Sequence, residues 1–104
     1  MSIWNITAFN GYVPKTTFWN DFEIADAFGP YAVRETYESA MRDWASDYEY
    51  LTELVLVLNH RLWMHHGVND SLAKVYASLF RSAYDYAVKN LKDEELRYFL
   101  EVTD

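Results

Sequence analysis

The 104-residue sequence contains no cysteine, and this absence excludes several kinds of site. Without cysteine the chain can form no disulfide framework, no thiolate nucleophile and no cysteine-ligated zinc or iron–sulfur centre. A cysteine-free chain suits the reducing cytoplasm, where we expect the protein to reside. The first residues also lack a basic start followed by an apolar stretch, so we predict no signal peptide.

Long apolar runs, glycines and basic residues are scarce as well. The longest strictly apolar run is residues 54–58, about a quarter of a membrane span, so we expect no membrane partner. The three glycines form neither a P-loop nor a GxGxxG pattern. Nine basic residues against sixteen acidic ones give a net charge of −7, which argues against direct binding of nucleic acid.

What the chain does contain predicts a single packed domain over residues 1–104. Apolar residues make up 51% of the sequence and aromatic residues 18%, enough for a hydrophobic core. The charge is unevenly placed: residues 20–53, named the acidic segment below, hold nine acids and two bases, whereas the rest holds seven of each. Any function that depends on the acidic excess therefore belongs to one third of the chain.

Helical periodicity predicts an all-α fold, a bundle of four main helices preceded by a short helix and an irregular arm. Residues 1–19 show no sustained period and form the aromatic arm, with a short strand inside 2–9 as an alternative. The short helix covers 20–29, with Asn20 as its cap and Gly29 as its stop, and Pro30 either begins the next helix or lies in the turn.

The four main helices follow from apolar residues that recur every three or four positions. The first starts at Pro30 and meets either a kink or a break near residues 45–47, where Ser46 and Glu49 resemble a capping box. The second, about 47–66, is apolar around most of its surface and should occupy the centre of the bundle. Asn69 caps the third, which runs to about Asn90, and the fourth covers 92–102 with a core face of Leu96, Phe99 and Leu100.

All three histidines lie near the end of the predicted central helix. His60 and His65 are about 140° apart around a helix, and His65 and His66 about 100°, so neither pair has the spacing of metal ligands on one face. We therefore predict no metal and no cofactor, and interpret the histidines as a helix end that Gly67 terminates, with Trp63 pointing toward the core. Protonation of His65 or His66 would then modestly stabilise the fold below about pH 6.5.

One row of polar residues on the central helix could do chemistry. Glu49, Glu53 and His60 share a helix face, which allows a general acid/base pair or a polar cluster inside the bundle. We interpret the row as a solvated stripe opposite the leucines. Since no nucleophile motif accompanies it, we expect no catalytic residues and no enzymatic activity.

Candidate binding residues come from the acids and aromatics in and beside the acidic segment. Tyrosine and tryptophan anchor protein interfaces, and the chain has more of them than a small core can hold, so a protein partner or a homodimer is expected. A solvated helix face is the alternative reading of the acids. The candidates are Asp21, Glu23, Asp26, Glu35, Glu38, Asp43, Trp19 and Trp44.

Four stretches of the sequence resemble a known group of proteins. "PKTTFW" (14–19), "DFEIADAFG" (21–29), "YLTELVLVLNH" (50–60) and "EELRYFLEVTD" (94–104) resemble, in this order, small uncharacterised proteins encoded by phages and by conjugative or integrative elements of gut bacteria. The resemblance spans most of the chain. It implies an accessory protein of a mobile element and brings no assigned catalytic residues.

Two functions are therefore expected of this sequence. The first is a non-catalytic interaction protein that binds a protein partner through the acidic segment and exposed aromatics. The alternative is an acidic mimic of DNA that blocks a nucleic-acid-binding protein of host defence. Mimicry requires all nine carboxylates of the acidic segment to form one continuous surface.

Overall fold

The computed structural model describes residues 14–103 and folds them into five helices. These are α1 (Phe18–Phe28), α2 (Pro30–Trp44), α3 (Tyr48–His65), α4 (Asp70–Asn90) and α5 (Asp93–Thr103). The described residues contain no strand, which confirms the all-α prediction. The strand considered inside 2–9, and most of the predicted arm, lie outside the described residues. Within residues 14–103, no helix combines the length and the apolar character needed to cross a membrane.

A single glycine separates α1 from α2. Gly29 has φ = 109°, a conformation that residues with a Cβ rarely adopt, and Pro30 occupies the first position of α2, as the sequence allowed. The predicted start of α1 was wrong. The helix begins at Phe18, two residues before Asn20, and the hydroxyl of Thr17 donates a 2.8 Å hydrogen bond to Asp21 at its first turn.

α3 is the central helix, as predicted. Every residue from 51 to 59 is buried, because α3 contacts all four other helices. The surrounding helices bury polar residues of α3 along with its leucines, and Glu53 and Asn59 are both fully buried. Trp63, predicted to point at or near the core, is 48% exposed, since it lies on the face of α3 opposite to Arg61 and His65, which pack against α1 and α4.

The predicted break between α2 and α3 is present, but another residue caps the second helix. α2 ends at Trp44 and α3 begins at Tyr48. The carboxylate of Asp47, not the hydroxyl of Ser46, accepts hydrogen bonds from the backbone N–H groups of Glu49 (3.0 Å) and Tyr50 (3.3 Å). Asp47 thereby satisfies two of the donors that the first turn of a helix leaves unpaired.

Substitution of these neighbours should separate the two capping assignments. We expect Asp47→Ala to lower the free energy of unfolding by about 1 kcal/mol, the usual cost of losing a helix cap. Ser46→Ala, at an exposed position, should change it by less than about 0.5 kcal/mol. Urea denaturation of both variants measures the difference, and equal effects would contradict the assignment to Asp47.

α4 and α5 complete the core. Asn69 caps α4 as predicted, accepting a 3.2 Å hydrogen bond from the N–H of Leu72. In α5 the fully enclosed face consists of Phe99 and Thr103, whereas Leu100, predicted to belong to the core, is 38% exposed. The reason is geometric: positions 99 and 103 are one helical turn apart and face the bundle, so position 100 lies at the edge of that face.

Candidate protein-binding groove and buried ionic cluster

A groove of about 840 Å³ lies between the chain around the start of α1 and the part of α2 from Glu35 to its end. It is named the α1–α2 groove below. Its α1 side is lined by Phe18, Asp21 and Ile24. Lys15, Thr16 and Thr17, which precede the helix, line it as well. The opposite wall includes Glu35 and Asp43 of α2. A volume of this size lies within the range of pockets that bind ligands or side chains of a partner.

The helical repeat explains the wall that α2 contributes. Glu35, Ser39 and Asp43 are four residues apart, so they form one row along the helix, with about 12 Å between the first and the last. Thr36 and Ala40 lie beside this row and also line the groove. Of the lining residues between the two carboxylates, Thr36, Ser39 and Ala40 are small, and Arg42, next to Asp43, is the exception.

Two aromatic side chains lie at the end of the groove where α2 gives way to α3. The rings of Trp44 and Tyr50 are 4.7 Å apart between centroids and tilted by 58°. Trp44 is 44% exposed and lines the groove together with Tyr50. The break at residues 45–47 produces this arrangement, because it turns the chain so that the end of α2 meets the start of α3.

The structure brings together four of the eight candidate binding residues. Asp21, Glu35, Asp43 and Trp44 all line the α1–α2 groove. Two further candidates, Glu23 and Glu38, and the half-buried Trp19 are not among its lining residues. The ring of Trp19 meets His60 edge-on, with 5.4 Å between centroids.

The remaining candidate, Asp26, belongs to the interior, so its assignment to a binding surface is corrected. Its side chain and that of Arg61 are each 9% exposed. Nε of Arg61 donates a 3.0 Å hydrogen bond to Oδ2 of Asp26, and Nη2 of the same guanidinium contacts this oxygen as well. Asp26 follows the buried Phe22 by one turn of α1, which places its carboxylate on the inner face of the helix.

His65 and Tyr76 complete an ionic cluster around this carboxylate. Nε2 of His65 lies 2.6 Å from Oδ2 of Asp26, and the hydroxyl of Tyr76 donates to Oδ1. An ionised carboxylate only accepts, so the imidazole N–H is the donor. The ring of His65 stacks on that of Tyr76 at 5.8 Å. The cluster of Asp26, Arg61, His65 and Tyr76 thus joins α1, α3 and α4.

These contacts decide the ionisation of Asp26 and Tyr76. Burial raises the pKa of Asp26, but hydrogen bonds from Tyr76, His65 and Arg61, together with the charge of Arg61, outweigh it and hold the pKa below the usual 3.8. Burial and the neighbouring Asp26 raise the pKa of Tyr76. Because folding lowers the pKa of Asp26, its contribution to stability is complete above the unfolded-state value and is lost as pH falls through the folded-state value.

Glu53 anchors the chain that leads into α1. Its carboxylate is fully buried and accepts hydrogen bonds from the backbone N–H groups of Lys15 (2.7 Å) and Thr16 (3.2 Å) and from the hydroxyl of Thr16. Nζ of Lys15 donates to Glu49. The interpretation of Glu49, Glu53 and His60 as a solvated stripe was therefore wrong at Glu53, because α3 is enclosed on all sides at that position.

His60 is half-buried, and burial lowers its pKa, with the charge of Arg61 adding to the effect. The unfolded chain therefore binds a proton more readily than the folded chain, and the free energy of unfolding should decrease as pH falls below about 6.5. Between about pH 7.5 and about pH 5.5 we expect the melting temperature of the wild type to fall relative to that of His60→Gln, which lacks this proton-binding group. Calorimetry across this range measures the slopes, and an identical slope in the variant would contradict the assignment. Asp26 titrates below this window.

The nine carboxylates of the acidic segment do not form one continuous exposed surface. Glu53 and Asp26 are buried, and the exposed Arg34 and Arg42 are adjacent in sequence to Glu35 and Asp43. Within residues 14–103 no group of three or more histidine and acidic side chains is arranged to hold a metal ion.

Comparisons of the chain with models of protein families, with curated proteins and with solved structures found no match.

Proposed function

We propose that this protein is a non-catalytic accessory protein of a mobile genetic element, and that it binds a protein partner in the α1–α2 groove. One observation carries the proposal: residues distant in sequence, Asp21, Glu35, Asp43 and Trp44, line the same groove. An exposed tryptophan surrounded by polar groups is typical of the side chains that dominate protein interfaces. The link to a mobile element is supported by the sequence resemblance.

The structure of the one candidate acid/base pair supports a binding role over a catalytic one. Glu53 uses its carboxylate to hold the backbone of residues 15 and 16, which form part of the groove wall. A group engaged by three donors is poorly placed to exchange protons with a substrate. Its contribution to function is therefore the position of that wall.

A pair of tryptophan variants tests the proposal. Trp44 and Trp63 are exposed to nearly the same extent, 44% and 48%, but only Trp44 lines the groove. We expect affinity purification and cross-linking from source cells to recover a specific protein, and Trp44→Ala to weaken its binding at least about tenfold, as for an aromatic anchor. Trp63→Ala should bind as the wild type does.

The control decides how a negative result is interpreted. If Trp63→Ala and Trp44→Ala reduce binding equally, or if neither does, the partner does not use the groove and the proposal fails. Circular dichroism of both variants shows whether each retains its helices. A second copy of this chain, recovered as the bound protein, would identify a homodimer.

A further inference from the structure

We propose that the occupant of the α1–α2 groove is a cationic amphipathic helix of the partner, with lysine or arginine side chains two turns apart and an apolar side chain between them. The inference rests on the proposed function and adds the chemistry of the partner to it. It follows from the spacing of two carboxylates on α2, from the net charge of the groove and from the small size of Thr36, Ser39 and Ala40 between those carboxylates.

The spacing comes from α2. Glu35 and Asp43 are about 12 Å apart along the helix, since eight residues rise by that distance. Two turns of a second helix advance about 11 Å, so basic residues seven or eight positions apart on the partner match the two carboxylates. This is the repeat with which an amphipathic helix presents one face to a groove.

The charge of the groove is available to a cation. Neither Glu35 nor Asp43 forms an ion pair with another residue of the described range 14–103. Two basic residues, Lys15 and Arg42, also line the groove, but Glu49 already neutralises Lys15. Three acids therefore face one uncompensated arginine, and the surplus is negative.

The residues that line the groove also suit an apolar side chain on the same partner helix. Thr36, Ser39 and Ala40 are small and allow the backbone of a second helix to approach. Ile24, 61% exposed, lies on the α1 side, and Trp44 lies at the far end. An apolar residue between the two cations of the partner would lie over the small residues of α2, between these two exposed apolar side chains.

A defined peptide tests this inference without the natural partner. The probe is a peptide of about 15 residues of lysine, leucine and alanine, in which lysines at heptad spacing and leucines share one helical face. Its control is the same composition scrambled so that no face forms. Each is titrated into ¹⁵N-labelled protein, and we expect the amphipathic peptide to shift the indole N–H signal of Trp44 and the backbone signals of residues 35–43.

Two matched variants separate binding in the groove from general attraction to an acidic protein. The groove variant is Glu35→Gln with Asp43→Asn, and the control is Glu23→Gln with Glu38→Gln, which removes the same charge outside the groove. We expect Kd to rise at least about tenfold in the groove variant and less than about twofold in the control.

The remaining outcomes overturn the inference. Equal weakening in both variants, or equal binding of the scrambled peptide, would show non-specific electrostatic attraction. Absence of binding would reject a cationic helix as the occupant, and concentration-dependent shifts of the groove signals in the protein alone would identify a second copy there. The proposed function fails separately, by the Trp44 and Trp63 comparison, so each result can be assigned to one of the two claims.

Discussion

Replacing Asp26 with alanine should lower the free energy of unfolding by about 3–5 kcal/mol, the usual cost of removing one partner of a buried ion pair. The guanidinium of Arg61, only 9% exposed, would lose the carboxylate that compensates its charge. The hydroxyl of Tyr76 and the N–H of His65 would lose their acceptor at the same time. Urea denaturation followed by circular dichroism measures the change.

The controls for Asp26→Ala are a substitution of an exposed acid on the same helix and a double substitution that removes both members of the ion pair. Glu23→Ala, exposed on α1, should change stability by less than about 0.5 kcal/mol. Domains of this size are stable by about 5–15 kcal/mol, so Asp26→Asn serves as a milder variant if Asp26→Ala fails to fold. The double variant Asp26→Leu with Arg61→Met should recover part of the loss, because it removes both charges together. A cost below about 1 kcal/mol for Asp26→Ala would show that the cluster is not a stabilising centre.

Replacing Glu53 with alanine should cost about 2–3 kcal/mol and loosen the chain before α1. The substitution leaves the N–H groups of Lys15 and Thr16 without their acceptor, and unpaired donors of this kind cost about 1–3 kcal/mol. Hydrogen exchange at these two amides should accelerate more than exchange in the middle of α4. Urea denaturation gives the global effect, and exchange read by NMR gives the local one.

Glu49→Ala is the matched control, since Glu49 also binds Lys15 but does so through the exposed ammonium group. We expect it to lower the free energy of unfolding by less than Glu53→Ala does, because water screens exposed ion pairs, and to leave the exchange at residues 15 and 16 nearly unchanged. If the two substitutions accelerate exchange to the same extent, Glu53 is not the anchor of this segment.

The helices could be predicted because their signals are local. The glycine and proline between α1 and α2, the break near residue 46 and the all-round apolar character of α3 each occupy a few neighbouring positions. The capping residue at the break was harder to predict, because Ser46 and Asp47 are adjacent and both can cap a helix. Only the backbone geometry decides between them.

The buried polar groups could not be predicted from local patterns. Asp26 and Arg61 are 35 residues apart, and Glu53 meets residues 37 and 38 positions away. Periodicity shows that a residue lies on a given face, but it does not show what that face meets. One signal was present: Asp26 lies one turn after Phe22 on an apolar face. For the groove, the four-residue spacing of Glu35, Ser39 and Asp43 is enough to predict that they form one row on a helix. The opposing wall could not be predicted in this way, because it depends on how α1 folds back onto α2.

The junction at Gly29 has a mechanical consequence for the groove. With no further residue between the two helices, the torsion angles of one glycine set the direction of α1 relative to α2. Asp21 lies eight residues from this pivot, so a rotation of about 10° there moves it by about 2 Å over the 12 Å arm of the helix. The width of the groove between Asp21 and α2 therefore depends on the φ and ψ angles of Gly29. The hydrogen bonds from residues 15 and 16 to Glu53 hold the other end of α1 in place.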